Sequence, residues 1–299
     1  MVSPVPTYSQ VATLHRDAGL SLVVYTCRGA DPPGLPAEEF CAQSQIVFVR
    51  SGCFVRSSPG GRTLADASQA VFFQRGVSYR VHHPHAGGDE CVALSISDAD
   101  RLAWMESWGA STTRGPDSPM PWESGLVASP AARALYYLVA DLRRGLDRFE
   151  CHARVMHLLG GIRPLASRTR ARPTRAQRHL ELAEAVRMLV LRRLGDPLRL
   201  ADIASSFGTT PFALCRMFVR SVGLPLHRYR RRLRLREALR RLADGERDIT
   251  RLALDLGFSD HSHFTNAFGA EFAVPPSAFR SAVTTHARRG SHGTVSSPS

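Results

Sequence analysis

Two short stretches near the C-terminus follow one plan, and they constrain the fold more than any other feature. LADIASSFGTTPFALCRMF (200–218) and ITRLALDLGFSDHSHFTNAF (249–268) each run an apolar stripe, a glycine and a second apolar stripe. In the first copy Leu200, Ile203 and Ala204 recur at helical spacing, and Gly208 permits the positive φ of a tight turn. Thr210 and Pro211 then read as N-cap and first helical residue. At about 100° per residue, Leu214, Met217 and Phe218 share an inward face. Phe212 and Arg216 fall opposite, flanked by Ala213, Val219 and Arg220. In the second copy Ile249, Leu252 and Ala253 repeat the stripe and Gly257 repeats the turn. Ser259 or Asp260 is placed to cap the next helix, which buries Phe264 and Phe268. Ser262 and Asn266 face outward, with His261, His263 and Thr265 beside them.

Helix, glycine turn and helix with a polar outer face is the helix-turn-helix design, whose second helix fits a DNA major groove. Small polar side chains suit base edges because they approach closely and still hydrogen-bond. A helical bundle with merely solvated faces is the alternative, and charge weighs against it. The 299-residue chain carries a formal net charge of +13, unevenly placed. Residues 1–162 hold 14 Arg against 15 Asp and Glu, whereas residues 163–299 hold 25 Arg against 11. A near-neutral half followed by a strongly basic one predicts that only the second meets a polyanion. Every basic charge is an arginine; the chain has no lysine. The run HRYRRRLRLREALRR (227–241) reads as a helix burying Leu226, Tyr229, Leu233, Ala238 and Leu242. Its arginines read as a solvated face, with phosphate contact by at least one of them as the alternative.

Residues 179–280 resemble the C-terminal domain of AraC-type (AraC/XylS) transcriptional regulators. The resemblance rests on LADIASSFG, LCRMF, YRRRLRLREAL, ITRLALDLGF, SDHSHFTNAF and AVPPSAFR, in that order. It implies two helix-turn-helix units joined by a long helix, reading successive major grooves about 34 Å apart on one face of double-stranded promoter DNA. It further implies DNA contacts by Phe212, Cys215, Arg216 and Arg220 in the first unit, and by His261, Ser262, Thr265 and Asn266 in the second. The chain departs from the family's usual Gln at His261 and Arg at Asn266. That predicts a second helix with a different base preference or a smaller share of the affinity. Arg199 replaces a small N-cap residue, while Asp248 keeps that role in the second copy.

Between residues 20 and 97, LSLVVYTC, QIVFVR, CFVRSS, AVFF, SYRVHH and CVALSIS read as strands broken at Gly52, Gly60, Gly61, Gly76, Gly87 and Gly88. Six strands without an intervening helix predict an antiparallel sandwich or barrel. AVFFQRGVSYRVHHPH resembles the cupin-like jelly-roll sensor domain often joined to AraC-type readers. The resemblance implies an unidentified small-molecule effector, for which Tyr79, His83 and His85 are the candidate contacts. His83, His85 and Glu90 also match the HxHx4E ligand spacing of metal-binding cupins. Pro84 and the two nearby glycines weigh against a metal, no later His partner is evident, and the reading is of no cofactor. Six scattered cysteines without a CxxC pair fit a reducing interior. Buried packing is the reading for Cys41, Cys53 and Cys91, with thiol sensing as its alternative. Cys151 and His152 lack the proline of a DNA-repair alkyl acceptor and read as helix packing.

The predicted architecture is multidomain α+β. An N-terminal antiparallel jelly-roll (cupin-like) sensor domain spans 1–127, and a helical segment, read as dimerising through the stripe Leu135, Leu138, Leu142 and Leu146 unless that stripe packs on the barrel, spans 128–162. A linker follows at 163–178, then an all-α double helix-turn-helix domain at 179–284 and a disordered tail at 285–299. In 128–162, Ser129 and Pro130 read as cap and first-turn proline. No run approaches the roughly 20 apolar residues of a membrane span. The expected protein is a cytoplasmic homodimeric regulator without enzymatic activity, acting with RNA polymerase. A metal-dependent cupin enzyme fused to a DNA-binding module is the rival.

Overall fold

The computed structural model describes residues 9–28, 36–84, 87–166 and 175–284. The N-terminal region is built on antiparallel strands: β1 (Ser9–Arg16), β2 (Leu20–Cys27), β3 (Glu39–Phe40), β4 (Gln45–Ser58), β5 (Gly61–Asp66), β6 (Gln69–Phe73), β7 (Ser78–His82), β8 (Asp89–Ile96), β9 (Trp122–Val127) and β10 (Ile162–Ala166). They pair in the order β1-β2-β8-β4-β6-β9-β10. The second half of β4 also pairs with β5 and β7, and β7 carries β3.

QIVFVR and CFVRSS are therefore one 14-residue strand rather than two. Gly52, at φ 69°, bends β4 instead of ending it, and the register with β8 shifts between Val49 and Ser51. The bend lets one strand belong to both layers. Between the layers lie Val47, Val49, Phe54, Ala65, Val71, Phe73, Cys91 and Ala93. The opposite face, with Leu22, Ile46, Phe48, Phe72, Val92 and Leu94, is covered by helices. Burial on both faces explains why β6 and the Ile46–Val49 stretch of β4 are continuously apolar rather than alternating.

Helix α1 (Asp98–Ser107) follows β8, and α2 (Ser129–Leu142) and α3 (Arg148–Gly160) follow β9. The N-cap of α2 is Ala128, without a side-chain bond, rather than Ser129. The Ser129 hydroxyl donates to Glu271 instead, far along the chain. Residues 163–166, expected to begin the linker, pair with β9 as a strand together with Ile162. The rest of that linker up to 174, and the tail 285–299, lie outside the described residues.

The C-terminal region is all helix: α4 (Arg175–Arg192), α5 (Leu200–Ser206), α6 (Pro211–Val222), α7 (Leu226–Ala243), α8 (Ile249–Asp255), α9 (His261–Phe272) and α10 (Pro276–Thr284). It is packed onto the N-terminal region rather than tethered beside it. Leu135, Leu138, Tyr136 and Leu142 of α2 join one apolar cluster with Leu235, Ala238 and Leu239 of α7, Phe268 and Phe272 of α9 and Phe279 of α10. Tyr136 and Tyr137 lie 6.1 and 5.5 Å from the Phe279 ring. The leucine stripe expected to dimerise is thus buried inside the chain through Leu142. An exposed apolar stripe takes the nearest complementary surface, and here the chain supplies it.

Candidate nucleic-acid interface

Both turns fold as their chemistry predicts. Gly208 has φ 61° and Gly257 φ 73°. Thr210 Oγ1 accepts from Ala213 N at 3.2 Å to cap α6, and Asp260 Oδ1 accepts from His263 N at 2.7 Å to cap α9. That backbone bond, followed by one from Ser259, holds the exposed Asp260 carboxyl below its ordinary value. Asp248 caps α8 through Arg251 N, while Arg199 begins α5 without a side-chain cap.

The burial patterns of α6 and α9 superpose with an offset of 50 residues. Leu214, Met217, Phe218 and Val222 face inward in one, and Phe264, Ala267, Phe268 and Phe272 in the other. The turn glycines are 49 apart, so the second turn is one residue longer. Phe212 thereby corresponds to Ser262, Cys215 to Thr265 and Arg216 to Asn266. Phe212, Arg216, Arg220, His261, Ser262 and Asn266 are exposed, and Phe212 is 75% exposed despite its ring. Cys215 and Thr265 are set back, half-buried. Thr265 Oγ1 is buried with no hydrogen-bond partner among the described residues. His263, beside the outward face, is held by Ser259 at 3.1 Å and by the Phe258 ring at 5.5 Å.

Among the described residues, Arg199, Arg216, Arg220, Arg228 and Arg231 are exposed and paired with no carboxylate. These five lie in or beside the first unit, and Arg247 and Arg251, equally exposed, lie beside and in α8 of the second; on the recognition helices themselves the exposed arginines are confined to α6. The outer face of α9 presents imidazole, hydroxyl and amide but no arginine. The two recognition helices therefore differ in charge.

Most arginines of α7, by contrast, build structure. Arg234 donates from Nε to Leu194 O at 2.8 Å and from Nη1 to Gly257 O at 2.9 Å. It thus ties the α4–α5 connection to the second glycine turn. Gly257 is confined there: a Cβ would collide with Gly195 O and the Arg234 guanidinium, whereas a Cβ on Gly208 meets nothing. Burial and neighbouring Arg230 push Arg234 down to about 10. Arg230 donates to Leu198 O at 3.2 Å. Arg236 is buried, donates to Val127 O at 2.8 Å and is pushed down to about 10, chiefly by burial. The solvated-face reading of this run fails for these three residues.

A second arginine missed from the sequence crosses between the regions. Arg187 of α4 donates to Asp66 at the end of β5. Tyr229 of α7 donates to the same carboxylate oxygen at 2.6 Å, and Ser68 N and Oγ reach the other at 2.8 and 2.5 Å. Asp66 is fully buried; burial would raise its carboxyl, but the Arg187 charge and these hydrogen bonds outweigh that and lower it. The available signal was register. Arg187 stands among Ala183, Val186 and Val190, and Arg236 between Leu233 and Leu239, positions where an arginine must be buried or break the stripe.

The HxHx4E set does not assemble. Glu90 pairs with Arg50, whose guanidinium lies 4.6 Å over the Tyr136 ring, on the helix-covered side of β8. Strand alternation sends Asp89 the other way, and His83 Nε2 meets Asp89 Oδ1 at 2.9 Å. His85 lies outside the described residues. Tyr79 packs against Phe73 at 4.7 Å, and its hydroxyl lies 3.5 Å from Cys41 Sγ, at the edge of the inter-layer core. All six cysteines are free thiols; Cys41, Cys53, Cys91 and Cys151 are buried.

Comparison with known proteins bears on the helical region. A family model described as a helix-turn-helix domain matches residues 203–282. The transcriptional activator AarP of Providencia stuartii is 36% identical over 87 residues, 29% of this chain and 64% of its own. The C-terminal domain is of the AraC type. YfiF of Bacillus subtilis, an uncharacterized helix-turn-helix regulator, is 28% identical over 130 residues, 44% of this chain and 41% of its own length. A crystal structure described as a regulator with an AraC-type DNA-binding domain, from Chromobacterium violaceum, shares 28% identity with a TM-score of 0.33, over 38% of this chain and 97% of its own. The chain thus spans less than two thirds of the length of these curated relatives. The AraC-type domain is joined to an antiparallel β-sheet region, giving an α+β chain. No described helix is long and apolar enough to cross a membrane.

Proposed function

We propose that the chain is a sequence-specific DNA-binding transcription regulator without enzymatic activity, in which a cupin-like N-terminal domain binds a small effector. The observation that carries this reading is the pair of capped helices α6 and α9, each following a positive-φ glycine and each exposing its first turns. In it, Phe212, Arg216, His261, Ser262 and Asn266 approach base edges. Arg220, Arg199, Arg228 and Arg231 hold phosphates around the first unit. Cys215 and Thr265 support the helices from behind. The target is two short boxes in tandem, one duplex turn apart, with the first unit contributing more of the affinity.

Regulation enters through the interface. Because α2 packs on α7, α9 and α10, and Asp66 holds both Arg187 and Tyr229, a shift in the sheet region is transmitted to the recognition helices. The inter-layer core by Tyr79 is the proposed effector region. The rival enzyme reading loses its carboxylate ligand, since Glu90 is engaged by Arg50 on the other face. Selection of bound sequences from a random pool, followed by Arg216→Ala, tests the proposal. Enrichment of a tandem motif whose first box degenerates at one position in the variant supports it. Equal retention of random duplexes by both proteins refutes it.

A further inference from the structure

The convergence that displaced the HxHx4E reading has its own chemistry. Cys27 ends β2, Asp89 begins β8 directly opposite it in the antiparallel register, and His83 follows β7. Ligand atoms of these three residues all lie within 4.8 Å of one another. His83 and Asp89 are buried, at 4% and 5% exposure, while Cys27 is half-buried. Although His83 Nε2 and Asp89 Oδ1 approach to 2.9 Å, Oδ1 accepts no hydrogen bond of normal geometry. A protonated His83 would make this an ion pair, whereas with the imidazole neutral the same nitrogen and carboxylate oxygen converge as ligands of a common cation do. Around a tetrahedral ion with bonds of roughly 2.0–2.3 Å, such atoms sit about 3.3–3.7 Å apart. Binding requires the side chains to adjust from their present spread, within 4.8 Å, to that spacing.

The backbone holds the three strand ends together. Gly88 has φ 67°, and a Cβ there would collide with Cys27 O; a Cβ on Gly52 would collide with Gly88 O and lie 2.8 Å from Asp89 Cα. Cys91, one pleat along β8 on the same face, donates its thiol to Asp89 Oδ2 at 2.9 Å. It orients the carboxylate as outer partners of metal ligands do.

We infer that Cys27, His83 and Asp89 form a binding site for a single thiophilic divalent cation of the Zn2+ class. Charge supports this ligand set. A Cys27 thiolate, a neutral His83 and an Asp89 carboxylate sum to two negative charges, which a divalent ion cancels, so nothing uncompensated is left buried. On binding, the Cys27 thiol proton is released to solvent and Cys91 keeps its own. Three protein ligands leave one position open for water or a small anion, and the thiolate discriminates against Mg2+ and Ca2+. As an identification of what the N-terminal domain senses, the inference rests on the regulator reading; as a metal site it does not.

The test uses the purified full chain, stripped with chelator and titrated with Zn2+ against a chromogenic chelator, with Co2+ as spectroscopic probe. Expected are one equivalent of Zn2+, a sulfur-to-cobalt charge-transfer band, and no displacement by millimolar Mg2+. Cys27→Ser and Asp89→Asn should each weaken Zn2+ by more than the roughly 10–100-fold that outer partners command, and Cys91→Ala within that range. Cys151→Ala, in the buried face of α3, should leave both signals unchanged. Absence of the sulfur band in the wild-type chain overturns the inference whatever the variants do, as does Zn2+ binding undiminished in folded Asp89→Asn. Because metal rather than DNA is scored, either result leaves the DNA-binding proposal standing.

Discussion

Replacing Asp66 by alanine should uncouple the two halves of the molecule. The carboxylate has no exposed surface and receives Arg187, Tyr229 and Ser68, so its loss leaves a buried guanidinium without its counter-charge, though still bonded to Leu64 O and the Tyr229 hydroxyl, and the Tyr229 hydroxyl and Ser68 amide without their acceptor. Removing one member of a buried ion pair typically costs about 3–5 kcal/mol. At 1.4 kcal/mol per decade, that is roughly two to three and a half orders of magnitude in the equilibrium holding the regions together. The assay exploits composition. The three tryptophans are Trp104, Trp108 and Trp122, so fluorescence reports the N-terminal region, whereas α4–α10 contribute most of the helical circular dichroism. In urea the two signals should coincide for the wild-type chain and separate for Asp66→Ala, the usual signature of lost cooperativity. Asp66→Leu combined with Arg187→Met should recover much of the loss, since an apolar pair of similar volume leaves no orphaned charge. A single-variant cost below about 1 kcal/mol, or a double variant as damaged as the sum of its parts, would refute the argument.

Acidity should act through the same group. The Asp66 carboxyl is held below its ordinary value of 3.8, so its contribution is complete above that pH and disappears as pH falls through the lower folded value. Acid titration of stability should therefore show a steeper loss below about pH 4 in the wild-type chain than in Asp66→Asn. The two turn glycines should respond unequally to alanine. At Gly208 only the left-handed backbone opposes the substitution, costing about 1–2 kcal/mol, whereas at Gly257 the Cβ also strikes Gly195 O and Arg234. Thermal melts and duplex affinity should both fall further for Gly257→Ala, and equal losses would remove the role given to the Arg234 contacts. Arg216→Ala should cost about 1–3 kcal/mol of binding and relax one base position. A uniform loss on specific and random duplexes would reassign it to phosphate. Arg231→Ala should instead reduce the salt dependence of binding by about one unit of slope while leaving base preference intact.

The AraC-type domain was legible from residues 200–280 because its determinants are local. Gly208, Gly257, Thr210, Asp248 and Asp260 set turns and caps through their own backbone and the next few amides. The 3.6-residue periodicity placed Leu214, Phe218, Phe264 and Phe268 inside and Phe212, Arg216 and Asn266 outside. Exposure of Arg216 and burial of Phe264 are matters of helix phase, and phase is written in spacing. In the N-terminal region strand identity was legible for β2, β6 and β8, but β3 and the edge strand β10 are short and β9 is mixed in polarity, so they carry too little pattern.

Tertiary structure alone decided what lies far apart along the chain. A stripe such as Leu135–Leu138–Leu142 states that it needs an apolar partner but not which one; folding gave it α7, α9 and α10 instead of a second copy. An arginine in a basic run looks the same whether it faces phosphate or a carbonyl, and Arg230, Arg234 and Arg236 were assigned only by the groups that close over them. Asp66 and Arg187, or Cys27 and Asp89, meet through long-range pairing whose register no local propensity encodes. Helix phase and capping are one-residue-at-a-time physics, whereas the choice of buried partner is settled by the whole fold at once.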